Sequence, residues 1–316
     1  MMFKPSIISS ASSSNIEKTE KHQRIRFERP DLESLAQKCT VVDMHFHSRY
    51  SDGLNDIPAI ARRARRLNIG IALTDHNNVE GAVRLAEYKD VFTIPGIEIT
   101  SREGAHLLVY FTIVDELVRF FEAELVPYLG REVMSSSWLS MEALVASARQ
   151  YGALTVFPHP YCAMFTGVCN PVFSRARQEF LISVADGIEA INAGNMHRWN
   201  LKSAVLGFNM EAGVTGGSDG HNLFQMGKAV TCACCRKSPA EFLQAVRNRH
   251  AWVIGKEVNI LRRMTATGMK IPTNLRNSPD LFDKNVRYGY AVINRRSRRL
   301  KERLKKKKQG RIYLYK

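Results

Sequence analysis

The stretch Asp43-Met44-His45-Phe46-His47 follows an apolar run at residues 39–42 and precedes Ser51-Asp52-Gly53. Because side chains alternate along a β-strand, His45 and His47 project from the same face of the predicted strand. Two neutral imidazoles side by side at a strand end can begin a transition-metal site. One His-x-His pair is equally typical of ordinary polar residues, so the rest of the chain must decide.

Four further apolar runs end in polar clusters, as the first one does. The runs cover residues 69–73, 91–97, 153–157 and 212–215, and the clusters after them contain His76, Glu98, His159, Asp219 and His221. The run at residues 105–111 differs, because its histidine, His106, stands near its start. Short apolar runs that end in polar residues are typical of buried parallel strands that end at an active face.

Helical patterns separate most of these runs. They cover residues 29–38, 57–67, 79–88, 140–151, 196–206 and 239–248. An alternation of strands and helices predicts a parallel α/β fold. In a β/α barrel, functional residues collect at the carboxyl ends of the strands, which is where most of these polar clusters fall.

Each polar residue also has an ordinary interpretation. His159 is flanked by prolines and fits a turn, Glu98 could cap a helix, and Asp219 lies in a Gly-Ser-Asp-Gly turn sequence. Their shared position within the alternation of strands and helices favours one common site over several unrelated roles.

Taken together, the polar clusters resemble a known family. They are Asp43–His47 with Ser51-Asp52-Gly53, Thr74-Asp75-His76, Gly96-Ile97-Glu98, His106, Pro158-His159-Pro160 and Gly217-Ser218-Asp219-Gly220-His221. In this order they resemble the polymerase and histidinol phosphatase (PHP) family over residues 41–255. The resemblance implies a distorted, seven-stranded β/α (TIM-like) barrel and a metal-dependent phosphoesterase, commonly with three metals.

The resemblance also implies a set of nine metal ligands. His45, His47, Glu98 and Asp219 would hold the first metal; Glu98 would bridge to a second, completed by His106 and His159; Asp52, His76 and His221 would hold a third. Residue 52 is a histidine in some members of the family. The aspartate found here keeps an oxygen ligand but adds negative charge.

Six histidines and three carboxylates suit two or three ions of Mn²⁺, Zn²⁺ or Fe²⁺, and suit Mg²⁺ less well. We expect a hydroxide between the two metals that share Glu98, with His159 and Asp219 completing the catalytic group. The third metal would bind a phosphate oxygen. Asp75 is expected to orient the imidazole of a neighbouring ligand, or else to be a solvated acid in a loop.

Residues that recognise the remainder of the substrate are less clear from the sequence. Arg49 lies between the histidine pair and Asp52, and is either a phosphate-binding residue or a surface arginine. Asn195 and Arg198 follow the apolar run at residues 187–191, together with Asn192 and His197, and are candidate substrate contacts. Residues 161–177 are expected to form a loop, as a lid or as a plain connection.

The formal net charge of +16 is unevenly distributed. Residues 295–316 contain twelve Lys and Arg and one Glu, which contributes +11 and leaves +5 for the remainder. The basic run at residues 295–308 is typical of a nonspecific nucleic-acid contact or of a solvated tail. It favours a nucleotide or oligonucleotide substrate over a small metabolite such as histidinol phosphate. A nucleic-acid-binding protein with a non-catalytic PHP domain is a further alternative.

The predicted domain organisation has four parts. Residues 1–38 form an N-terminal extension that is partly disordered, 39–256 the PHP catalytic domain, 257–294 an irregular segment packing on the barrel, and 295–316 a basic tail. Six irregularly spaced cysteines and no secretory leader predict free thiols and a cytoplasmic location. No apolar stretch approaches the roughly 20 residues of a membrane span, and the oligomeric state is not predicted.

Overall fold

The computed structural model describes residues 24–162 and 166–258. Most of the predicted N-terminal extension, almost all of the irregular segment 257–294 and the whole basic tail 295–316 therefore lie outside the described residues. The predicted domain boundaries remain predictions. Within the described part, the chain has a mixed α/β fold.

The strands of the described residues form two sheets of five strands each. The first sheet has the order β1 (Ile25–Arg26), β10 (Trp252–Gly255), β9 (Ala229–Ala233), β2 (Thr40–Phe46) and β3 (Gly70–Leu73). The second has the order β4 (Gly96–Thr100), β5 (His106–Tyr110), β6 (Leu154–Phe157), β7 (Gly187–Asn192) and β8 (Gly213–Gly217).

Helices occur in most of the connections between the strands. They are α1 (Leu32–Lys38), α2 (Ile57–Leu67), α3 (Glu80–Leu85), α4 (Val114–Phe120), α5 (Met141–Gln150), α6 (Arg175–Val184), α7 (His197–Asn209) and α8 (Pro239–Arg247). A π-helical turn (Phe121–Leu125) and a 3₁₀ turn (Val126–Tyr128) continue α4. The six predicted helical segments all correspond to helices, with ends that differ by up to three residues.

The local sequence determines where helix α2 begins and which of its faces is buried. The Asp56 side chain accepts a hydrogen bond from the Ala59 backbone N–H, and Pro58 lies in the first turn, where its missing N–H costs nothing. Ile57, Ile60, Ala61 and Ala64 are buried at helical spacing. Since the arginines occupy the other face, α2 packs its apolar side on the sheet.

The predicted parallel arrangement does not hold for β5 and β9, each of which pairs antiparallel with both of its neighbours. Strand β5 pairs antiparallel with both β4 and β6, while β2–β3, β6–β7 and β7–β8 are parallel. The link between β4 and β5, residues 101–105, is too short for the crossover that parallel strands require. Thr100 therefore pairs with His106, and the start of β5 lies beside the end of β4.

No continuous ladder closes a barrel among the described residues. The two sheets meet instead at isolated parallel bridges, Phe46 with Gly220 and His76 with Glu98. Both bridges fall beside the predicted metal ligands. The ends of β2, β3, β4 and β8 are thereby held together where the site was expected.

All six cysteines are free thiols, as predicted. Cys39 caps the end of α1 and does not open β2, and Cys234 is exposed beyond the end of β9. Among the described residues, no helix combines the length and the apolar composition that crossing a membrane requires.

Candidate metal centre

The structure brings all nine predicted ligands together at one end of the two sheets. His45 and His47 come from the end of β2 and the residue after it, Glu98 from β4, His106 from the start of β5, and the other five from loops: Asp52, His76, His159, Asp219 and His221. Most of these side chains are almost completely buried. The antiparallel direction of β5 explains why His106 stands at the start of its run and still joins the others.

Four side chains form the most compact group. His45 Nε2 lies 3.1 Å from His47 Nε2 and 3.2 Å from Glu98 Oε2. Asp219 Oδ1 lies 3.3 Å from His47 Nε2 and 3.7 Å from His45 Nε2, and Glu98 Oε2 lies 3.3 Å from His47 Nε2. Tetrahedral bonds of about 2.0–2.2 Å place ligand atoms about 3.3–3.6 Å apart, so the spacing of His45, His47 and Glu98 fits one cation.

The second oxygen of Glu98 faces a different pair of imidazoles. Glu98 Oε1 lies 2.7 Å from His106 Nδ1 and 3.3 Å from His159 Nε2. Glu98 Oε2 faces His45 and His47, so the two oxygens of one carboxylate belong to two neighbouring groups. Glu98 therefore contacts one pair of imidazoles through each of its two carboxylate oxygens.

Asp52 anchors the third group of side chains. Asp52 Oδ2 lies 2.9 Å from His221 Nε2, and Asp52 Oδ1 lies 4.0 Å from His76 Nε2. The His47 ring is stacked between the rings of His76 and His221, with centroid distances of 4.7 and 4.6 Å. His76 Nδ1 also lies 3.2 Å from Glu98 Oε2. His76 therefore contacts both the group around Asp52 and the group around Glu98.

The protonation of His45 shows that these donors fit cations. His45 Nδ1 lies 3.0 Å from Oε1 of the buried Glu189, and because a carboxylate only accepts, Nδ1 carries the proton. Nε2, which lies 3.1 Å from His47 Nε2, is then the His45 atom that can offer a lone pair to a cation. Imidazole and carboxylate donors in this number suit Mn²⁺, Zn²⁺ or Fe²⁺.

The close approach of carboxylates and imidazoles shifts their pKa values in opposite directions. Burial by itself raises the pKa of Glu98, but His76, His106 and His45 bring that pKa well below its usual value. Burial lowers the pKa of His45, but the carboxylates of Glu98, Glu189 and Asp219 raise it well above its usual value. The centre therefore holds ionised carboxylates that attract positive charge.

Glu189 is a residue of this centre that the sequence did not single out. It lies in the middle of β7 and is buried behind His45. Besides facing His45, it accepts hydrogen bonds through Oε2 from the His159 backbone N–H and from Asn192 Nδ2. An acid inside the otherwise apolar run Gly187-Ile188-Glu189-Ala190-Ile191 was the available signal.

Asp43 was also overlooked, although it precedes the histidine pair. Its buried carboxylate accepts hydrogen bonds from the backbone N–H groups of His45, Ser218 and Gly227 and from Ser218 Oγ. Burial raises the pKa of Asp43 to about 6, against these hydrogen bonds. Asp43 thus joins β2 to the loop that carries Asp219 and His221.

The expected role of Asp75 is wrong. Its carboxylate accepts hydrogen bonds from the backbone N–H and Oγ of Ser48 and from Oγ of Ser51. It therefore stabilises the loop between His47 and Asp52 and does not orient an imidazole. It is also buried, which excludes the alternative of a solvated acid.

The candidate substrate contacts lie in different surroundings. Arg49 is exposed on the loop between His47 and Asp52. Asn195 is buried, and its Nδ2 donates a hydrogen bond to the carbonyl oxygen of Tyr161, so it holds two loops together. The exposed Arg198 places its guanidinium 5.0 Å from the ring centroid of Trp199.

Residues 43–150 match the PHP domain family, which confirms the resemblance that the sequence motifs indicated. An uncharacterized protein of Methanocaldococcus jannaschii, MJ1587, is 25% identical over 166 residues, which is 48% of this chain and 81% of that protein. The error-prone DNA polymerase of Mycobacterium bovis is 35% identical over 103 residues, which is 28% of this chain and 9% of the polymerase.

Two solved structures share the fold at low sequence identity. The lesion-specific endonuclease PfuEndoQ of Pyrococcus furiosus superposes with a TM-score of 0.55 at 16% identity, covering 68% of this chain and 57% of the endonuclease. PsfC of Pseudomonas syringae superposes with a TM-score of 0.51 at 19% identity, covering 75% of this chain and 98% of PsfC.

Proposed function

Because this chain carries a PHP domain at residues 43–150, we propose that it is a metal-dependent hydrolase of phosphate esters. The observation that carries the proposal is the convergence of six imidazoles and three carboxylates around Glu98. The family match and this complete donor set support a hydrolase, and a complete set argues against a domain that only binds nucleic acid. A PHP domain without catalytic activity is expected to have lost several of its metal ligands.

We assign the ligands to three cation positions. The first comprises His45, His47, Glu98 and Asp219, the second Glu98, His106 and His159, and the third Asp52, His76 and His221. The separation of the two Glu98 oxygens supports the division between the first two positions. The approach of His221 to Asp52 supports the third. The donor set favours Mn²⁺, Zn²⁺ or Fe²⁺ over Mg²⁺.

Cations at these positions would supply a hydroxide nucleophile near neutral pH and would offset the negative charge of the phosphoryl oxygens. The charge and the orientation of the protein's side chains favour cation binding at these positions. Glu98 and Asp219 provide ionised carboxylates, and Glu189 fixes the His45 ring so that Nε2 faces the centre. Arg49, on the loop held by Asp75, is positioned to pair with a phosphate oxygen of the substrate.

We further propose that the substrate is a nucleotide or an oligonucleotide. The local match to an error-prone DNA polymerase supports this, as does the basic composition of residues 295–316. Positive charge of this kind raises affinity for polyanions without reading their sequence. A small-metabolite phosphatase, such as a histidinol-phosphate phosphatase, does not need this positive charge to bind its substrate.

We propose that β2 to β8 are the seven strands of a distorted barrel. Five of them form the second sheet, and the other two are the adjacent strands β2 and β3. The bridges at His76–Glu98 and Phe46–Gly220 stand at the two places where the sheets meet. Full closure would explain why ligands from both sheets reach a common centre.

A substrate panel with added Mn²⁺ tests the proposed activity. It should contain bis(p-nitrophenyl) phosphate, p-nitrophenyl phosphate, histidinol phosphate, mononucleotides and short oligonucleotides, with Glu98→Gln as the inactive control. We expect the wild-type protein to hydrolyse nucleotides or oligonucleotides, and EDTA to abolish the activity. Turnover of histidinol phosphate alone would favour the metabolite alternative. Oligonucleotide binding without any hydrolysis would contradict the proposal.

A further inference from the structure

The outer face of α2 carries four arginines, and three of them line one cleft. Arg62, Arg63 and Arg66 border a cleft of about 430 Å³ together with Ala59 and Leu223. Arg65 points elsewhere and forms an ion pair with Asp90 at 2.6 Å. Of these four arginines, only Arg65 has a carboxylate within ion-pair distance in the part of the chain that the structure describes.

The cleft borders the metal centre through a short piece of backbone. Arg63 Nε donates a hydrogen bond to the carbonyl oxygen of Leu223, at 3.2 Å. Leu223 lies two residues after the candidate ligand His221, which places their backbones within about 7 Å of each other. The loop that carries Asp52 also leads into α2, and its Leu54 N–H donates to the His221 carbonyl oxygen. The cleft therefore begins on the Asp52 and His221 side of the centre.

No acid among residues 24–162 and 166–258 forms an ion pair with the three arginines of the cleft. Arg62 and Arg66 are one helical turn apart and exposed, with Arg63 partly buried between them. Burial and the adjacent charge of Arg66 both lower the pKa of Arg63. Like charges placed together cost free energy unless an anion binds, and guanidinium groups bind phosphate through paired hydrogen bonds.

We propose that this cleft binds the phosphodiester backbone of a nucleic-acid strand on one side of the linkage at the metal centre. The inference rests on the proposed function and makes it more specific. A monomeric phosphate ester would fill the metal centre without reaching α2, whereas a strand would extend across the surface into the cleft. The contacts are to phosphates, so binding is independent of base sequence and sensitive to salt.

The test compares two double variants of the full chain that lose the same charge. Arg62→Ala/Arg66→Ala removes the exposed arginines of the cleft and leaves Arg63, whose hydrogen bond holds Leu223. Arg119→Ala/Arg149→Ala is the matched control, because both residues are exposed, lie in α4 and at the end of α5, and do not line the cleft. A labelled phosphorothioate oligothymidine, which keeps the backbone charge and resists hydrolysis, reports the affinity by fluorescence anisotropy with Mn²⁺ present.

The cleft variant should bind the oligothymidine about tenfold more weakly than wild type at low salt. Its plot of log affinity against log salt should be shallower by about 1.4, since each lost contact to a single strand accounts for about 0.7. Arg62→Lys/Arg66→Lys should restore most of the affinity. Equal affinity for the oligothymidine in the cleft variant and the control variant would overturn the proposal that the cleft binds the strand.

Hydrolysis of bis(p-nitrophenyl) phosphate separates this result from the proposed function. This small diester has a single phosphate, so none is left for the cleft when the metal centre binds it, and both double variants should hydrolyse it at the wild-type rate. If the wild-type protein leaves the diester intact under every metal condition, the proposed function fails. If the diester is hydrolysed while the cleft variant binds oligothymidine as well as wild type does, only the cleft proposal fails.

Discussion

His106 Nδ1 lies 2.7 Å from Glu98 Oε1, although the two residues belong to different strands. Glu98 is in the middle of β4, and His106 is the first residue of β5. The contact is possible because the two strands run antiparallel and are joined by a short turn. Glu98 Oε1 thus contacts His106, while Oε2 faces His45 and His47. Glu98 therefore lies between two groups of candidate ligands.

Substitution of Glu98 should damage the centre more than loss of any terminal ligand. Glu98→Gln keeps the shape of the side chain but removes its charge and replaces one ligating oxygen with an amide nitrogen. We expect kcat to fall by about 10³-fold, because two cation positions lose a shared ligand. Glu211→Gln, at an exposed position, is the matched control and should retain full activity. Wild-type turnover by Glu98→Gln at full metal occupancy would refute the bridging role.

Asp52→Ala should empty one cation position and leave the other two occupied. Asp52 contacts His221 directly and lies at the far side of His47 from Glu98. Elemental analysis of the purified variant, compared with wild type, gives the number of ions lost. We expect the metal content per chain to fall by about one ion. Simultaneous loss of every ion would contradict the division into three positions.

Glu189→Gln should weaken metal binding without removing a ligand. Glu189 accepts from His45 on one oxygen and from the His159 N–H and Asn192 on the other. A glutamine amide would place a donor against one of these donors and would free the His45 ring to change its tautomer. We expect metal affinity to drop by about 10–100-fold, measured by competition with a chelator. Unchanged affinity would assign Glu189 a purely structural role.

Cation binding should release protons, and the affinity should rise with pH. Burial lowers the pKa of His159, but Cys162 and Glu98 raise it well above its usual value. Burial also lowers the pKa of His45, and the surrounding carboxylates raise that pKa well above its usual value. Without a bound metal, both imidazoles therefore hold a proton more tightly than a free imidazole does, and an entering cation must displace it. Burial lowers the pKa of His76 well below its usual value, so His76 holds a proton less tightly than His45 and His159 do.

Calorimetry in buffers of different ionisation enthalpy measures this release. Below the raised pKa values, affinity should increase by about tenfold per pH unit for each proton displaced. A pH-independent affinity between weakly acidic and weakly alkaline buffer would show that the imidazoles are already neutral.

Much of the site was predictable because its residues share a local signal. His45, His76, Glu98, His159 and Asp219 each follow or end an apolar run, and strand ends meet at one edge of an α/β sheet. Helix α2 was predicted to the residue, since its cap, its Pro58 and the spacing of its buried residues agree. These features depend on neighbours within a few positions in the sequence.

What could not be predicted depends on pairing between distant segments. Glu189 lies within an apolar run, and whether it faces a ligand or a neighbouring strand is decided only by the register of β7. The sequence leads us to expect that Asp75 orients a neighbouring imidazole, but the folded loop brings Ser48 and Ser51 to its carboxylate. The division of the strands into two sheets is likewise set by long-range contacts.

A crystal structure of the protein grown with Mn²⁺, with anomalous diffraction data, tests the central claim most directly. Anomalous peaks should lie within bonding distance of the nine side chains, including one on each side of the Glu98 carboxylate. An absence of peaks at saturating Mn²⁺, or peaks found only elsewhere on the protein, would contradict the account.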